Sequence, residues 1–335
     1  MATARAARVA LVTTGGTIVS RIDPATGLAM PVLSGEELLR TLGDDAGPIE
    51  VHEVCRVASP ELGPVQWIAL HATVSTLLAR GDLAGIVITH GTSTLEDTAW
   101  FLDLTLATDT PVVLTGAQRN ASAPDFDGPR NLRAALAVCR SPAARGLGVL
   151  VELNEHVNAA REVTKTHTRD VETFQSGEWG YLGSVEGDTV RIHRAPRRRQ
   201  HVPLAASTLP EVEIVSMFPG ASGAMVRAAA DSGAAGIVVQ AVASGHVNAA
   251  MEAAIVEVMA RGVPVVVSTR IPRGGTRTGY GFPGSSRRLV DAGAVLAGDL
   301  SPWKARILLM LALQRGAVAR AEWAALFDDP QAGSE

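Results

Sequence analysis

The sequence predicts an α/β protein of two domains, with a larger N-terminal doubly wound, mostly parallel sheet and a smaller C-terminal α/β domain. Short apolar runs rich in β-branched residues alternate with longer stretches of helical spacing, which is the order of βαβ units. This alternation stops between 160 and 200 and begins again near Glu211. A chain of 335 residues is long enough to form two such domains.

Five apolar runs predict the strands of the first sheet, and the stretches between them predict its helices. The runs lack polar alternation, which is typical of parallel strands buried on both faces. Segment 160–200 is richer in charge and has no helical spacing, so short antiparallel strands are predicted there. The strands are predicted at 7–13, 49–54, 85–89, 111–115 and 147–153, and the helices at 34–42, 64–80, 94–106 and 128–140.

The same alternation predicts the second domain. Its last helix has a Ser301-Pro302 start, and proline is favoured in the first turn of a helix. These patterns predict an N-terminal domain at 1–195, a linker at 196–210 and a C-terminal domain at 211–335. In the second domain the predicted strands are 211–215, 236–240 and 263–267, and the predicted helices are 222–232, 248–261 and 302–313.

The composition excludes several classes of partner. Apolar residues make up 47% of the chain and the formal charge is −4, which predicts a globular protein without a nucleic-acid partner. The basic stretch Arg191–Arg199 lacks aromatic residues for base stacking, and we interpret it as a solvated interdomain linker. No apolar run is long enough for a membrane span or a signal peptide, so we expect a cytoplasmic protein with no membrane contact.

The two cysteines and the histidines show no ligand spacing. Cys55 and Cys139 are too few for a zinc site or a disulfide framework, and we expect both to be reduced core residues. No cluster of histidines and carboxylates has the spacing of metal ligands. We therefore expect neither a metal nor a cofactor.

Two threonines follow the predicted strands at 7–13 and 85–89. Thr17 comes after Gly15-Gly16, which allows a sharp turn and a close approach to a ligand, and Thr92 comes after His90-Gly91. Ligands collect at the carboxyl ends of parallel strands, so these two hydroxyls predict a site. A phosphate-binding loop is the other interpretation, but neither of the usual glycine spacings is met.

Part of the segment that follows the predicted strand at 85–89 has a structural explanation. Ser93 or Thr94 is placed to cap the following helix, with Glu96 or Asp97 returning the capping bond. Thr92 is left over on the strand side of this cap. Backbone N–H groups at the start of the helix could also stabilise an oxyanion.

Two further stretches are candidates for the site. Gly116–Arg119 again follows a predicted strand, and Lys165 is one of only two lysines in the chain. Lysine loses its proton when buried and can then act as a base, unlike arginine. The alternative is that Lys165 lies on the surface and pairs with Glu162.

Taken together, these motifs resemble the bacterial L-asparaginase and glutaminase–asparaginase family. The resemblance covers nearly the whole chain, because the motifs occur in the order and spacing of the family. They are Thr14–Ile18, His90–Thr92 with Leu95–Thr98, Thr115–Arg119 with Asp127–Pro129, Val163–Thr166 and Ser301–Arg306.

The resemblance implies a role for each matching residue. Thr17 matches the nucleophile that attacks the side-chain amide, and Thr92 and Lys165 match the pair that activates a hydroxyl or water and moves protons. Ser59 matches a serine that holds the α-carboxylate of the substrate. The family also implies a homo-oligomer, a dimer or a tetramer, with sites between subunits. Backbone groups expected to frame the amide are those of Gly16, Gly91, Thr92 and Ala117.

The sequence departs from the family where the amino group of asparagine would bind. Ser93 replaces a usual aspartate, Pro60 stands where a glutamine is frequent, and His246 occupies the place of an asparagine, although Asn248 lies near. Residues 20–34 contain no tyrosine, and the family usually has one there that helps to activate the nucleophile. Tyr280 or an ordered water would have to take this part.

We therefore expect an amidohydrolase that takes a small-molecule amide and hydrolyses the side chain of L-asparagine to aspartate and ammonia. The altered binding residues leave a second expectation open, in which the substrate is another amide, lactam or imide without an α-ammonium group. A third is that catalysis has decayed and the protein binds a small molecule. The intact Thr17, Thr92 and Lys165 argue against the third, and the missing tyrosine argues for it.

Overall fold

The computed structural model describes residues 8–43, 46–316 and 319–328. The chain divides between Pro203 and Leu204 into two units, and this division falls inside the segment 196–210 that the sequence predicts as a linker. Each unit contains its own parallel sheet with helices packed on it. The predicted α/β fold class is confirmed.

The first unit is built on an eight-stranded sheet with the order β12-β11-β8-β7-β6-β5-β1-β4. Its strands β4, β1, β5, β6 and β7 are parallel, and β8, β11 and β12 continue it as antiparallel strands. The strands of this unit are β1 (Val9–Gly15), β2 (Ser20–Ile22), β3 (Ala29–Pro31), β4 (Ile49–Val57), β5 (Gly85–Thr89), β6 (Val112–Thr115), β7 (Val149–Leu153), β8 (His156–Ala159), β9 (Thr164–Lys165), β10 (Phe174–Gln175), β11 (Gly183–Glu186) and β12 (Thr189–Ile192).

The strand order creates a crevice beside β1. The chain passes from β1 to β4 on one side, and then returns to place β5 on the other side of β1. Loops that leave the carboxyl ends of β1 and β5 therefore diverge in opposite directions. In doubly wound sheets this switch point is where ligands bind.

Four helices cover this sheet: α1 (Gly35–Arg40), α2 (Pro64–Ala79), α3 (Leu95–Thr105) and α4 (Gly128–Arg140). The core lies between α4 and the sheet, where Leu11, Val87, Val113 and Leu150 of four neighbouring strands are fully buried together with Leu132 of α4. Burial of side chains of this size supplies most of the favourable free energy of folding. The packing fixes the strand ends from which the candidate site is built.

The second unit has a four-stranded parallel sheet with the order β13-β14-β15-β16. The predicted Ser301-Pro302 helix start is confirmed, since the Ser301 side chain accepts a hydrogen bond from the Lys304 N–H. The elements of this unit are β13 (Val212–Ser216), α5 (Ala224–Asp231), β14 (Gly236–Ala241), α6 (Ala249–Ala260), β15 (Val265–Thr269), α7 (Ser286–Asp291), β16 (Val295–Leu296), α8 (Pro302–Leu313) and α9 (Arg320–Ala324).

The predicted strands and helices are present with ends shifted by a few residues. The elements that the sequence does not predict are each six residues or shorter: β2, β3, β8, α7, β16 and α9. The antiparallel strands predicted within 160–200 are present as β9, β10, β11 and β12. None of the described helices is long and apolar enough to cross a membrane.

The stretch Arg191–Arg199, predicted as a solvated linker, is partly exposed, and its arginines also contact the first unit. Arg191 lies in β12 and pairs with Glu186, and Arg194 pairs with the buried carboxylate of Glu162. Arg199 donates to the Gly146 carbonyl. These arginines therefore hold the stretch against the first unit, because its carboxylates and carbonyls supply partners that the sequence could not reveal.

Candidate active site

A cavity of about 510 Å³ lies at the carboxyl ends of β1 and β5. It is therefore placed at the switch point of the sheet. Seven of the predicted site residues line it: Gly16, Thr17, Ser59, Pro60, Gly91, Thr92 and Ser93.

Two glycines bring the loops after β1 and β5 into contact. Gly16 has a φ of 86°, and a Cβ atom at this position would lie 2.3 Å from the Gly91 Cα. Gly15 also has a positive φ, and a Cβ there would lie 2.3 Å from the Val57 carbonyl oxygen. A larger residue at Gly16 would force the loops after β1 and β5 apart, and one at Gly15 would clash with Val57 of β4. Both glycines are therefore required by these close approaches as well as by the turn.

Thr17 begins a short 3₁₀ turn, Thr17–Val19, directly after this contact. The turn is closed by the Gly16 carbonyl, which accepts hydrogen bonds from the Val19 N–H and the Ser20 hydroxyl. Among the described residues, the Thr17 hydroxyl has no hydrogen-bond partner. It is therefore free to contact a ligand in the cavity.

The Thr92 hydroxyl belongs to a hydrogen-bonded cluster below the cavity. The ammonium of Lys165 donates to Thr92 Oγ1 at 2.8 Å and to Gln118 Oε1 at 3.1 Å. The Thr92 hydroxyl itself donates to Gln118 Oε1 at 3.2 Å. Lys165 does not line the cavity itself. It is connected to the cavity through Thr92 and Gln118, which do line it.

Lys165 is held by a buried carboxylate behind it. Glu96 Oε1 accepts hydrogen bonds from the Lys165 N–H and the Thr164 hydroxyl, each at 3.1 Å. Burial lowers the pKa of the Lys165 ammonium, and the negative charge of Glu96 opposes that shift. The alternative in which Lys165 pairs with Glu162 is wrong, since the Glu162 carboxylate binds the Arg194 guanidinium instead.

The loop after β6 is fixed by Asp127, which orients Gln118. The Asp127 carboxylate accepts from the Gln118 N–H at 3.0 Å and from the Arg119 N–H at 2.9 Å. The Gln118 side-chain amide donates to the Asp170 carbonyl at 3.0 Å, which turns its oxygen toward Lys165. Gln118 lies in the candidate stretch Gly116–Arg119, but its partners depend on tertiary contacts that the sequence does not reveal.

Ala117, which was predicted to bind substrate, is fully buried in the hydrophobic core of the first unit. It does not line the cavity. Its side chain therefore serves packing, and only its backbone groups could take part in binding.

The capping box predicted for α3 is absent. Thr94 is the N-cap residue, but its hydroxyl donates to the Ser59 carbonyl at 2.6 Å instead of accepting from the helix. Glu96 is occupied by the backbone of Lys165. The Thr94 hydroxyl is used by a tertiary contact, which fixes Ser59 beside the start of α3.

The side chains predicted to recognise the amino acid make few hydrogen bonds. The Ser59 side chain lies against Gly91, with its hydroxyl 2.7 Å from where a Gly91 Cβ would stand. Ser93 is exposed. Within the described part of the chain, neither hydroxyl has a hydrogen-bond partner. The described lining of the cavity includes the guanidinium groups of Arg119 and Arg169 but no carboxylate.

His246 and Tyr280 lie in the second unit. His246 is 8% exposed and its Nδ1 accepts from the Ser286 N–H at 3.2 Å. The rings of His246 and Tyr280 meet edge to face with centroids 5.3 Å apart. The described residues that line the cavity all belong to the first unit.

These features indicate a class of enzyme. The cavity holds one threonine hydroxyl without a hydrogen-bond partner in the described chain and a second threonine bonded to a partly desolvated lysine, and these are groups that a hydrolase can use. The described residues contain no group of three or more His, Cys, Asp or Glu side chains able to hold a metal ion.

Comparisons with known proteins identify the family. Residues 8–198 match the N-terminal asparaginase domain, and residues 211–327 match the glutaminase/asparaginase C-terminal domain. The chain is 36% identical over 308 residues to an L-asparaginase of Bacillus licheniformis, covering 91% of this chain and 95% of that protein. It is 35% identical over 316 residues to L-asparaginase 2 of Escherichia coli, covering 91% and 88%.

A solved structure agrees with these matches. The crystal structure of a probable cytoplasmic L-asparaginase from Campylobacter jejuni superposes with a TM-score of 0.86 at 31% identity, covering 96% of this chain and 98% of that one. The chain belongs to the asparaginase family, and the predicted resemblance is confirmed. It is an asparaginase-like amidohydrolase.

Proposed function

We propose that this protein hydrolyses the side-chain amide of L-asparagine to aspartate and ammonia, with Thr17 as the nucleophile. The observation that carries the proposal is the Thr17 hydroxyl, without a partner in the described chain, in the same cavity as Thr92, whose hydroxyl accepts a hydrogen bond from Lys165. One hydroxyl is left for the substrate, and the other is bonded to a base. Covalent catalysis by a hydroxyl needs this combination.

The reaction has two steps. Thr17 Oγ1 attacks the amide carbon while its proton passes toward Thr92 and Lys165, and the C–N bond then breaks as ammonia leaves with a proton. Water next attacks the threonine ester, which releases aspartate and returns the proton to Thr17. Burial lowers the pKa of Lys165, so a larger fraction of this lysine is the neutral amine, the form that can accept a proton, than for an exposed lysine.

Substrate contacts follow from the cavity lining. The Ser59 hydroxyl would hold the α-carboxylate, and the backbone groups around Gly16 and Gly91 would surround the amide. Pro60 and Ser93 would lie next to the α-amino group. His246 of the second unit is proposed for the same role as a polar group near the amino acid.

A homo-oligomer, a dimer or a tetramer, is proposed on family resemblance alone. A cytoplasmic location is supported by the likeness to the Campylobacter jejuni protein. Both can be tested directly, the first by sedimentation equilibrium of the full chain and the second by cell fractionation.

A second candidate function has an observation in its favour. The described lining of the cavity offers no carboxylate for an ammonium group, and Ser93 stands where the family has an aspartate. An amide, lactam or imide without an α-ammonium would lose nothing from this change. A decayed binder is the third possibility, and the bonded Thr92–Lys165 pair argues against it.

Ammonia release tests these alternatives. The panel is L-asparagine, D-asparagine, L-glutamine, succinamate and simple amides, each with the unchanged protein, Thr17→Ala and Lys165→Ala. Turnover of L-asparagine that both variants abolish supports the proposal. Turnover of succinamate but not of L-asparagine supports the second function. No ammonia release from any substrate supports the small-molecule binder.

A further inference from the structure

Three buried side chains form a chain of hydrogen bonds that ends on the backbone of the candidate active site. The indole N–H of Trp67 donates to Thr98 Oγ1 at 2.9 Å, and Thr98 Oγ1 lies 2.8 Å from His90 Nε2. His90 Nδ1 lies 2.8 Å from the carbonyl oxygen of Gly91. Trp67 comes from α2, Thr98 from α3 and His90 from the end of β5.

The chemistry of these groups allows one order of protons. A carbonyl oxygen only accepts, so His90 Nδ1 carries the hydrogen that it donates to Gly91. His90 is fully buried, and burial lowers its pKa to about 4, so the ring is neutral and Nε2 accepts from the Thr98 hydroxyl. The indole can only donate, which leaves Thr98 Oγ1 as its acceptor.

The direction of the Gly91 carbonyl sets the direction of the next N–H. Across a trans peptide the carbonyl oxygen and the following N–H point in opposite directions, and the described chain has no cis peptide. The Gly91 oxygen is held toward His90 in the interior, so the Thr92 N–H is turned to the opposite side. Thr92 is 5% exposed and lines the cavity, yet its N–H donates to no group in the described part of the chain.

A buried backbone N–H without a partner is rare in folded proteins. Here the donor stands at the cavity that holds the Thr17 hydroxyl, where a reacting amide oxygen would need it. A donor of this kind is effective only when its direction is fixed before the substrate arrives, because no reorganisation is then needed during reaction.

We propose that Trp67, Thr98 and His90 are positioning residues that fix the Gly91–Thr92 peptide group, so that the Thr92 N–H points at the reacting carbonyl oxygen. The proposal rests on the proposed amide hydrolysis, and it adds a function for three residues remote from the substrate. None of the three lines the cavity. They act through the peptide group and not by contact with the substrate.

Substitution of Thr98 tests the proposal in the full chain. Thr98→Val keeps the shape of the side chain and removes its hydroxyl, which leaves His90 Nε2 without a donor. We expect kcat for the amide substrate to fall roughly 10- to 100-fold with a smaller change in KM, because the loss is in the transition state. Thr98→Ser restores the hydroxyl and should recover most of the kcat.

Thr105→Val is the matched control. Thr105 is buried in the same helix, and its hydroxyl donates to the Phe101 carbonyl without touching the chain of hydrogen bonds. We expect it to keep the kcat of the unchanged protein. Trp67→Phe is a second variant that removes the indole N–H, and it should lower kcat in the same direction. Equal kcat values for folded Thr98→Val and Thr105→Val would overturn the proposal.

A measurement without turnover separates this proposal from the proposed function. In ¹⁵N NMR of the uniformly labelled protein, we expect the His90 ring to be neutral with its hydrogen on Nδ1, and Thr98→Val to shift both Nε2 and the Thr92 amide signal. A hydrogen on Nε2, or an unmoved Thr92 signal, would overturn the positioning role. An inactive protein with the expected signals would instead overturn the proposed hydrolysis.

Discussion

The reaction core and the recognition shell of the cavity are built in different ways. The reaction core, defined here as Thr17, Thr92, Lys165 and Gln118, contains three residues bonded to one another. The recognition shell comprises Ser59, Pro60 and Ser93. Its two hydroxyls have no hydrogen-bond partner in the described part of the chain, and its proline has no side-chain donor.

This difference indicates that the protein itself fixes the geometry of its reacting groups. The geometry of the reaction core is held by internal hydrogen bonds and exists before a ligand arrives. The recognition shell is free to take its partners from the ligand. We therefore expect mutations in the core to change the rate of every substrate, and mutations in the shell to change which substrate is used.

The largest expected effect is the loss of the nucleophile. Thr17→Ala should lower kcat at least about 10³-fold for any accepted amide, since no other hydroxyl of the core is free. Thr26→Ala in the β2–β3 hairpin removes an exposed threonine hydroxyl and should keep the rate. Steady-state ammonia release measures both variants. A Thr17→Ala protein that retains about a tenth of the kcat would contradict the assignment.

The close contact of the two loops predicts a large effect on stability. Gly16→Ala places a Cβ atom 2.3 Å from the Gly91 backbone at a positive φ, and should cost about 3 kcal/mol or more of unfolding free energy. Gly27→Ala has a similar φ with nothing within 4 Å, and should cost about 1 kcal/mol. Urea unfolding of both variants gives the comparison. Equal losses would show that the contact between the loops contributes nothing.

The recognition shell predicts a change of substrate preference. Ser93→Asp supplies a carboxylate for the α-ammonium and should lower KM for L-asparagine about tenfold or more, because a hydrogen bond to a charged group contributes about 1.5–3 kcal/mol. Ser93→Asn is the uncharged control of the same size. Succinamate, which has no ammonium, should gain nothing. An equal gain with Ser93→Asn would mean that charge is not the cause.

The smallest effect concerns the pH dependence of the core. Burial lowers the pKa of Lys165 and Glu96 raises it, so Glu96→Gln should lower that pKa further. Because the neutral amine is the active form, the rate rises with pH through this pKa. The acidic limb of the kcat profile should therefore move to lower pH. Glu36→Gln on α1 is an exposed control, and a limb that moves upward in Glu96→Gln would exclude Lys165 as the base.

The site residues at the strand ends were predictable from the sequence, but their hydrogen-bond partners were not. Apolar runs followed by glycine and threonine correctly placed Thr17 and Thr92 in one cavity, because parallel strands end at one edge of a sheet. Gln118, Glu96 and the hydrogen bonds of His90 depend on loops far apart in the chain. Local spacing alone suggests that Glu96 belongs to a helix cap. In the structure its carboxylate instead accepts a hydrogen bond from the Lys165 N–H.

In the proposed reaction the acyl group of the amide is transferred to Thr17, and water releases the acid afterwards. Rapid acid quench of the enzyme with its amide substrate, followed by peptide mass spectrometry, tests this most directly. We expect one acyl group on the peptide that contains Thr17. It should be absent in Thr17→Ala and should accumulate when hydrolysis of the ester is slowed. An acyl group on the peptide that contains Thr92, with none on Thr17, would contradict it.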